Sequence, residues 1–432
     1  MASMEALARL MRELEDQLIV CMRCGMCQSV CPVFDQTGRE ADVARGKLAL
    51  LSGLMEQMFD DPEGVYERLS RCLLCGSCAA NCPSGVKVQE IFLKARAILS
   101  GYMGLPPAKR LILRGMLARP ALFDRLTEWG ARFQTIFTRP VNDIIGTSCA
   151  RVMSPLLEGR HFRTLAKVPF HRQVPGMDRP AGKSGLKVAF FTGCLIDKMF
   201  PNIAHSTLRV LEHLGVGLFL PENQGCCGIP ALSSGDLDTF GKLLGHNLAR
   251  FAESDFDVLV TACATCTSTI HEIWPTMAEE RHREAAKRLA EKTMDINQFL
   301  VNKVGLKPPA GRAGSKHMVT YHDPCHLKKA LKVFDEPRAV IQAAPGYQLK
   351  EMAQPDWCCG MGGSFNLQYY DISKGIGEKK AAQIMATGAD TLATGCPACM
   401  IQISDMLSRA GAGIAVRHPI ELLAEGLDEH ST

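Results

Sequence analysis

Residues 21–32 read CMRCGMCQSVCP, and residues 72–83 read CLLCGSCAANCP. Both segments follow the pattern C-x-x-C-x-x-C-x-x-x-C-P, and the second lies 51 residues after the first. In proteins with two iron–sulfur clusters, the first three cysteines of such a run bind one cluster, and the cysteine before the proline binds the other. Thiolate is the soft ligand that these clusters require. The two runs therefore predict a small domain with two [4Fe-4S] clusters and exchanged fourth ligands.

The pattern assigns four cysteines to each predicted cluster, three from one run and one from the other. For the first cluster they are Cys21, Cys24, Cys27 and Cys82. For the second cluster they are Cys31, Cys72, Cys75 and Cys78. Zinc is the alternative metal, but a zinc ribbon uses two C-x-x-C pairs and has no role for a third cysteine at the same spacing.

Ten further cysteines form an internal repeat in the C-terminal part of the chain. The first copy contains Cys194, Cys226, Cys227, Cys263 and Cys266. The second copy contains Cys325, Cys358, Cys359, Cys396 and Cys399. Corresponding cysteines are 131 to 133 residues apart, which indicates a duplicated domain. The cysteines follow short apolar runs that we predict to be strands, and the carboxyl ends of parallel strands are where α/β sheets bind ligands.

Three kinds of chemistry fit these repeated cysteines. Five thiolates can surround a four-iron cluster that is not a simple cube, with the adjacent cysteines on separate irons. A mononuclear zinc site would need only four of the five, as in a non-redox assembly scaffold. An adjacent Cys-Cys pair could also cycle between dithiol and disulfide. We expect an iron–sulfur or zinc site in each copy, while Cys149 belongs to no group and is expected to be a plain thiol.

The motifs divide the chain into an α+β multidomain protein. We predict a helical two-[4Fe-4S] ferredoxin-type domain at residues 1–104 and a basic, partly helical connector at 105–184. Two α/β domains follow, at 185–312 and 313–432. From residue 105 to residue 180 there are thirteen Lys or Arg and five Asp or Glu. This stretch is either a solvated connection or a basic surface that faces an acidic partner or an anionic membrane. If the partner is an acidic protein, Arg110, Arg114 and Arg119 would face it.

The composition excludes several classes of protein. With 47% hydrophobic and 22% charged residues, the chain is globular, and a net charge of +4 gives no support for nucleic-acid binding. Clustered cysteines without an apolar signal segment predict a cytoplasmic protein with reduced thiols. No G-x-G-x-x-G opens a helix, so we expect neither flavin nor NAD in this chain. Several polar residues near the cysteines are expected to make ordinary hydrogen bonds, the alternative being that they interact with a cluster and tune its potential: Asp197, His205, His322, Asp323 and His326.

The motifs resemble those of the CCG-domain iron–sulfur proteins, which combine a two-cluster domain with two Cys-Cys-Gly repeats. Within that group, Cys21–Arg96 resembles the iron–sulfur subunit of bacterial glycolate oxidase and its D-lactate dehydrogenase relatives, through residues 21–27, 44–47 and 82–86. The resemblance implies an electron-transfer subunit without catalytic residues and without dehydrogenase activity of its own. A separate FAD-binding subunit would oxidise glycolate or D-lactate. Electrons would then pass through this chain to quinone or another carrier, in the cytoplasm or at the inner face of the membrane.

The complete sets of repeated cysteines keep two other assignments open. Five cysteines in both copies resemble the catalytic subunit of heterodisulfide reductase, which splits a disulfide at its clusters. The iron–sulfur subunit of anaerobic glycerol-3-phosphate dehydrogenase is similar as well. The resemblance therefore defines the electron-transfer role more narrowly than it defines the substrate.

Overall fold

The structure is a computed structural model that describes residues 4–151, 159–308 and 317–428. The chain forms two compact units. Unit 1 takes the residues up to Ala118 together with two short segments, Gly228–Gly241 and Gly360–Gly377. Unit 2 takes Arg119–Cys227, Lys242–Cys359 and the residues from Glu378 onward. Each short segment of unit 1 therefore begins at the glycine that follows a Cys-Cys pair.

Unit 1 is helical in its described residues. Its α-helices are Met4–Met11, Glu15–Leu18, Met26–Val30, Pro32–Thr37, Ala44–Met55, Pro62–Ser70, Ser77–Ala80, Val88–Met103, Pro107–Arg110, Ile229–Ser233 and Ser364–Gln368. Two 3₁₀ turns and a π-helix complete it, at Arg12–Leu14, Glu40–Asp42 and Leu111–Leu117. Apolar residues at helical spacing in the first helices pack with those of Ala44–Met55 and Val88–Met103 to form one core. The sequence predicts helices at 5–20, 43–58 and 88–99, and these are present with shifted ends; a 3₁₀ turn interrupts the first.

A buried arginine joins the segment Gly228–Gly241 to the rest of unit 1. Arg96 donates hydrogen bonds to the carbonyls of Ser233 at 2.8 Å and Cys72 at 2.9 Å, and also to that of Leu69. Gly235 lies so close to the Arg96 helix that an added Cβ would be 2.4 Å from the Arg96 carbonyl oxygen. These contacts fix the loop of the second cysteine run against its helical support.

Unit 2 contains two parallel sheets with the same strand order. In the first, the order is Gly217–Leu220, Lys187–Phe191, Val258–Thr261 and Thr293–Asp295. In the second, the order is Tyr347–Leu349, His317–Tyr321, Thr391–Ala393 and Ala415–Arg417. The duplication predicted from the cysteine spacing is therefore also a duplication of topology, and it confirms the α+β fold class.

Helices connect the strands of unit 2. The α-helices are Pro120–Phe137, Phe170–Gln173, Cys194–Met199, Pro201–His213, Leu237–Phe251, Ala264–Ser268, Trp274–Met277, Glu280–Glu291, Ile296–Asn302, Asp335–Ala343, Tyr370–Met385, Pro397–Arg409 and Pro419–Asp428. Two of them, Leu237–Phe251 and Tyr370–Met385, begin in the short segments of unit 1. Two π-helices lie at Thr269–Ile273 and His326–Leu331. The apolar runs before the cysteines predict strands at 187–191, 258–261 and 391–393, and the observed strands have these bounds. A strand is also predicted at 347–352, and the observed one ends at Leu349.

In its described residues, the stretch from residue 105 to 184 contains more regular secondary structure than the sequence predicts. It contains the 18-residue helix Pro120–Phe137 and an antiparallel sheet of Thr138–Asn142, Thr147–Ala150 and Phe162–Arg163. Met177–Arg179 pairs antiparallel with Gly217–Leu220 and extends the first parallel sheet. These strands are short and polar, so their pairing depends on tertiary contacts and not on an apolar pattern.

One expectation about a single residue of this stretch needs correction. Arg114 has acidic partners within its own chain, because its guanidinium lies 3.0 Å from Asp236 and 3.4 Å from Asp238 in unit 1. Cys149 is a free thiol, as expected, and Arg139 Nε donates to its Sγ at 3.2 Å. The division into four domains stays a prediction, and its boundary between residues 312 and 313 lies outside the described residues.

Candidate metal centres

Two cavities of unit 1 collect the eight cysteines of the two runs. One cavity is lined by Cys21, Cys24, Cys27 and Cys82, and also by Cys78, which borders both cavities. The other is lined by Cys31, Cys72, Cys75 and Cys78. Each cavity therefore combines three thiols of one run with the fourth cysteine of the other run. This grouping is the one that the crossed assignment requires, and ligation itself stays a prediction.

The two cysteine loops repeat the same backbone conformation. Arg23 and Gly25 have positive φ angles of 57° and 87° in the first loop, and Leu74 and Gly76 have 54° and 71° in the second. A left-handed conformation at a non-glycine residue is uncommon, so its recurrence at equivalent positions indicates a shared requirement. Turns of this kind bring backbone N–H groups to one concave side, where they bind anions, including iron–sulfur sites.

Buried charges surround the second cavity. Lys47 is 1% exposed and donates to the Asp42 carbonyl, and the charges of Cys72 and Cys31 act on it. Burial lowers the pKa of Lys47 and of Arg96, while it raises the pKa of Cys31 to about 12. A thiol that is this hard to ionise becomes a thiolate when a metal replaces its proton. Two buried cations beside these thiols fit an anionic cluster with thiolate ligands.

The five cysteines of the first repeat form one continuous group of thiols at the carboxyl edge of their sheet. The Sγ atoms of Cys194 and Cys226 are 3.7 Å apart. Cys226 also contacts Cys227, and Cys266 contacts both Cys227 and Cys263. These neighbouring thiols, together with burial, raise the pKa of Cys226 and Cys266 well above its usual value. Such a group is suited to a metal centre that removes several protons at once.

The Cys226-Cys227 turn is held by groups outside the cysteine pattern. Asn247 accepts from the Gly225 N–H at 2.8 Å and donates to the Cys226 carbonyl at 3.0 Å. Trp274 Nε1 donates to the Cys227 carbonyl at 2.9 Å. All of these side chains and backbone groups are buried, so the bonds fix where the two thiols point.

The glycine of each Cys-Cys-Gly has the same conformation. Gly228 and Gly360 both have φ +93°, which an L side chain rarely adopts. In unit 1, a Cβ on Gly228 would lie 2.8 Å from the Phe240 ring, and one on Gly360 would lie 2.6 Å from the Ser373 carbonyl oxygen. Glycine is needed here for a left-handed turn and for the close approach of the following helix.

The cysteines of the second repeat adjoin those of the first within unit 2. Cys359 Sγ lies 3.3 Å from Cys399 Sγ, and Cys399 contacts Cys396. Cys396 also contacts Cys263 of the first repeat, and the Ala264 N–H donates to the Gly395 carbonyl at 2.9 Å. Cys358 and Cys359 lie close enough to the ammonium of Lys380 to interact with it electrostatically. Cys325 comes directly before the π-helix His326–Leu331. The two groups of thiols therefore share a border.

Most of the polar residues that the sequence singled out make ordinary hydrogen bonds, as expected. His205 Nε2 contacts Gln173 at 2.8 Å, His326 Nδ1 contacts Thr265 at 3.2 Å, and Asp323 accepts from Arg338 at 2.8 Å. Asp197 binds His171 at 2.9 Å. His322 differs: Nδ1 donates to the Pro355 carbonyl at 3.1 Å, but Nε2 is buried and has no hydrogen-bond partner among the described residues. Burial lowers the pKa of His322 to about 3.

Sequence reasoning missed two buried residues beside the repeated cysteines, Asn247 and Lys380. They are 133 residues apart and occupy equivalent positions on the helices Leu237–Phe251 and Tyr370–Met385. Lys380 donates to the Gln354 carbonyl at 2.6 Å, and burial lowers its pKa to about 8. A search of the repeat for polar residues at the same offset as the cysteines would have found both.

Comparison with known proteins agrees with these centres. A 4Fe-4S dicluster domain matches residues 17–86, and a cysteine-rich domain matches twice, at 188–271 and 319–404.

The chain is 30% identical over 431 residues to the probable glycolate oxidase iron-sulfur subunit of Bacillus subtilis (strain 168), and the match covers 95% of this chain and 94% of that protein. It is 32% identical over 239 residues to lactate utilization protein A of Halalkalibacterium halodurans, covering 55% of this chain and 96% of that one. It is also 28% identical to one subunit of the fumarate reductase (CoM/CoB) of Methanothermobacter marburgensis, over 93% of this chain and 71% of that one.

The domains and thiol groups define an iron–sulfur protein that transfers electrons as a subunit of an oxidoreductase. More narrowly, the chain belongs to the family of the glycolate oxidase iron–sulfur subunits. As a subunit of an oxidoreductase, a protein of this family works together with partner subunits. Within the described residues, no helix is long and apolar enough to cross a membrane.

Proposed function

We propose that this chain carries electrons from a separate FAD-binding subunit, which oxidises glycolate or D-lactate, to quinone or another acceptor. The observation that supports this most is the contact between Cys263 and Cys396, which places the two repeated thiol groups side by side in unit 2. Adjacent redox centres are useful to a protein that passes electrons on. A 2-hydroxy acid releases a hydride, and the sequence contains no recognisable flavin or nicotinamide motif, so we assign the chemistry on substrate to the partner.

The ligands proposed for the first two clusters follow the two cavities of unit 1. Cys21, Cys24, Cys27 and Cys82 would hold one [4Fe-4S] cluster, and Cys31, Cys72, Cys75 and Cys78 the other. When bound, these clusters supply one-electron chemistry. The protein contributes the cationic surroundings, with Lys47 and Arg96 beside the second cavity and Arg45 near the first.

For each repeat we propose a four-iron cluster on five thiolates in preference to zinc. In the first repeat, contacts link all five thiols, so none is separated from the group as a spare residue would be in a four-ligand zinc site. The proposed ligands are Cys194, Cys226, Cys227, Cys263 and Cys266 in the first repeat, and Cys325, Cys358, Cys359, Cys396 and Cys399 in the second.

A peripheral position on the membrane is supported by the helix Pro120–Phe137. Trp129, Phe133 and Ile136 are exposed on one face of this helix, and Trp129 is 64% exposed. The exposed Arg125 and Arg132 flank that face. An apolar stripe with an aromatic anchor and a basic border is the pattern of a helix that lies in the interface of an anionic bilayer. This position would bring the chain to a membrane-bound quinone.

The function is tested by reduction of the clusters in the complex. The chain is purified without oxygen, alone and with its FAD-binding subunit, and the visible absorption of the clusters is followed after addition of glycolate or D-lactate. We expect bleaching in the complex and none in the isolated chain. Bleaching of the isolated chain, or no bleaching of a flavin-loaded complex by either acid, would contradict the proposal.

Disulfide reduction is the second candidate, because both repeats keep five cysteines. The same preparation discriminates between the two functions. If the chemically reduced chain is reoxidised by a heterodisulfide and releases two thiols, the repeats are catalytic. If it is reoxidised by a soluble quinone and not by the disulfide, the electron-transfer function is supported.

A further inference from the structure

The second repeat carries a histidine directed at its cysteines. A ring nitrogen of His322, Cys359 Sγ and Cys399 Sγ all lie within 4.8 Å of one another. The three residues are buried, and His322 is 1% exposed. Atoms this close, drawn from one imidazole and two thiols, have the composition of a transition-metal site.

The hydrogen bonds of His322 define which nitrogen is available. Nδ1 lies 3.1 Å from the Pro355 carbonyl oxygen, which can only accept, so Nδ1 carries the proton of the neutral ring. Nε2 then presents a lone pair. Among the residues that the structure describes, none makes a hydrogen bond to it. Histidine ligands to metals commonly donate their other N–H to a backbone carbonyl, which fixes the ring in this orientation.

The first repeat has no equivalent group. Ala189 pairs with Leu259 in the first sheet, and Thr320 pairs with Leu392 in the second. Leu259 and Leu392 occupy equivalent places in the two repeats, so Ala189 corresponds to Thr320. Two residues further along the chain in each repeat, Phe191 therefore corresponds to His322. Phe191 is fully buried and stacks on Phe251. The imidazole is therefore a feature of the second repeat alone.

We propose that His322 Nε2 is a ligand of the metal centre in the second repeat, beside the thiolates of Cys359 and Cys399. The proposal rests on the function proposed above, in that the repeated cysteines hold metal. The two repeats then differ in their ligands, with thiolates alone in the first and nitrogen and sulfur in the second.

The test is pulsed electron paramagnetic resonance on the full chain, prepared without oxygen after its iron and zinc have been counted. Wild-type protein is compared with protein that contains ¹⁵N-labelled histidine, which needs no substitution and so avoids any folding defect. His322→Asn keeps a donor for the Pro355 carbonyl but removes Nε2. His326→Asn is the matched control, since His326 is half-buried near the same cysteines and its Nδ1 bonds to Thr265. A centre that contains zinc is read by zinc-edge X-ray absorption instead.

We expect one strong nitrogen coupling in the wild type that changes with ¹⁵N-histidine, disappears in His322→Asn and persists in His326→Asn. For zinc, we expect one nitrogen neighbour that is lost in the same variant. Metal bound in the second repeat without histidine coupling, or a coupling that survives in His322→Asn, overturns the ligand assignment alone. Eight irons and no zinc per chain would show that the repeats hold no metal, and would overturn the metal centres proposed for both repeats as well, whereas the electron-transfer function is tested separately by the bleaching experiment.

Discussion

Replacement of Asn247 by alanine tests whether the Cys226-Cys227 turn is held by that side chain. The substitution removes the acceptor of the Gly225 N–H and the donor to the Cys226 carbonyl. A third bond, to the Leu243 carbonyl, matters less because that carbonyl keeps its helical partner. Asn247 is fully buried, so water cannot replace the lost partners.

The expected loss of stability is large. A buried polar group that loses its partner costs about 1–3 kcal/mol, so two such groups cost about 2–6 kcal/mol. Unfolding free energies of domains are about 5–15 kcal/mol, so the loss is a large fraction of the total. With a urea slope of about 2 kcal/mol per molar, a loss of about 4 kcal/mol lowers the midpoint by about 2 M.

The assay is urea unfolding without oxygen, followed by visible absorption of the clusters and by tryptophan fluorescence. Trp274 reports on the first repeat because it bonds to the Cys227 carbonyl. The control is His246→Ala, one residue earlier on the same helix, where only a bond to the Asn223 carbonyl is lost. We expect a loss of about 1 kcal/mol there. Equal midpoints for the two variants, with full iron content in Asn247→Ala, would refute the argument.

Three further changes test the other assignments. Cys82→Ser should damage the cluster of Cys21, Cys24 and Cys27, and spectra that show loss only at the other cluster would contradict the crossed assignment. Lys380→Met should lower the reduction potential of the centre in the second repeat, because it removes a positive charge that stabilises the reduced state. The expected change is about 59 mV for each 1.4 kcal/mol of lost charge stabilisation. An unchanged potential in a redox titration would show that the ammonium does not act on the centre. Trp129→Ser should weaken binding to vesicles of anionic lipid at least tenfold, with unchanged iron content, and equal sedimentation with those vesicles would remove the membrane proposal.

The sequence predicted the parts of this fold that depend on local pattern. Lys187–Phe191 and Val258–Thr261 are continuous apolar runs before a cysteine, and such runs are buried strands in a parallel sheet. Thr138–Asn142 contains Arg and Pro, so its strand could not be read from apolar alternation. The ion pair between Arg114 and Asp236 could not be predicted from the sequence either, because 122 residues separate the two.

The candidate sites also combine features that a local sequence pattern predicts with features that depend on tertiary contacts. Repeated spacing was sufficient to group the cysteines of the two runs, since three of the four ligands proposed for each cluster lie in one loop. The roles of Asn247 and Lys380 depend on how a helix lies against a turn some 20 residues earlier in the chain. The orientation of His322 follows from one contact with Pro355, and a sequence pattern does not specify which ring nitrogen carries the proton.

The most direct test of the central claim is the amount of iron, inorganic sulfide and zinc per chain in protein purified without oxygen. Two cubane clusters account for eight irons, and two further four-iron centres bring the total to about sixteen, with zinc absent. Cys226→Ser and Cys227→Ser should each lower the iron content, because both thiols would be ligands in the proposed extended cluster. Eight irons with two zincs, or a Cys226→Ser variant that keeps all of its metal, would contradict the assignment of four iron–sulfur centres to this chain.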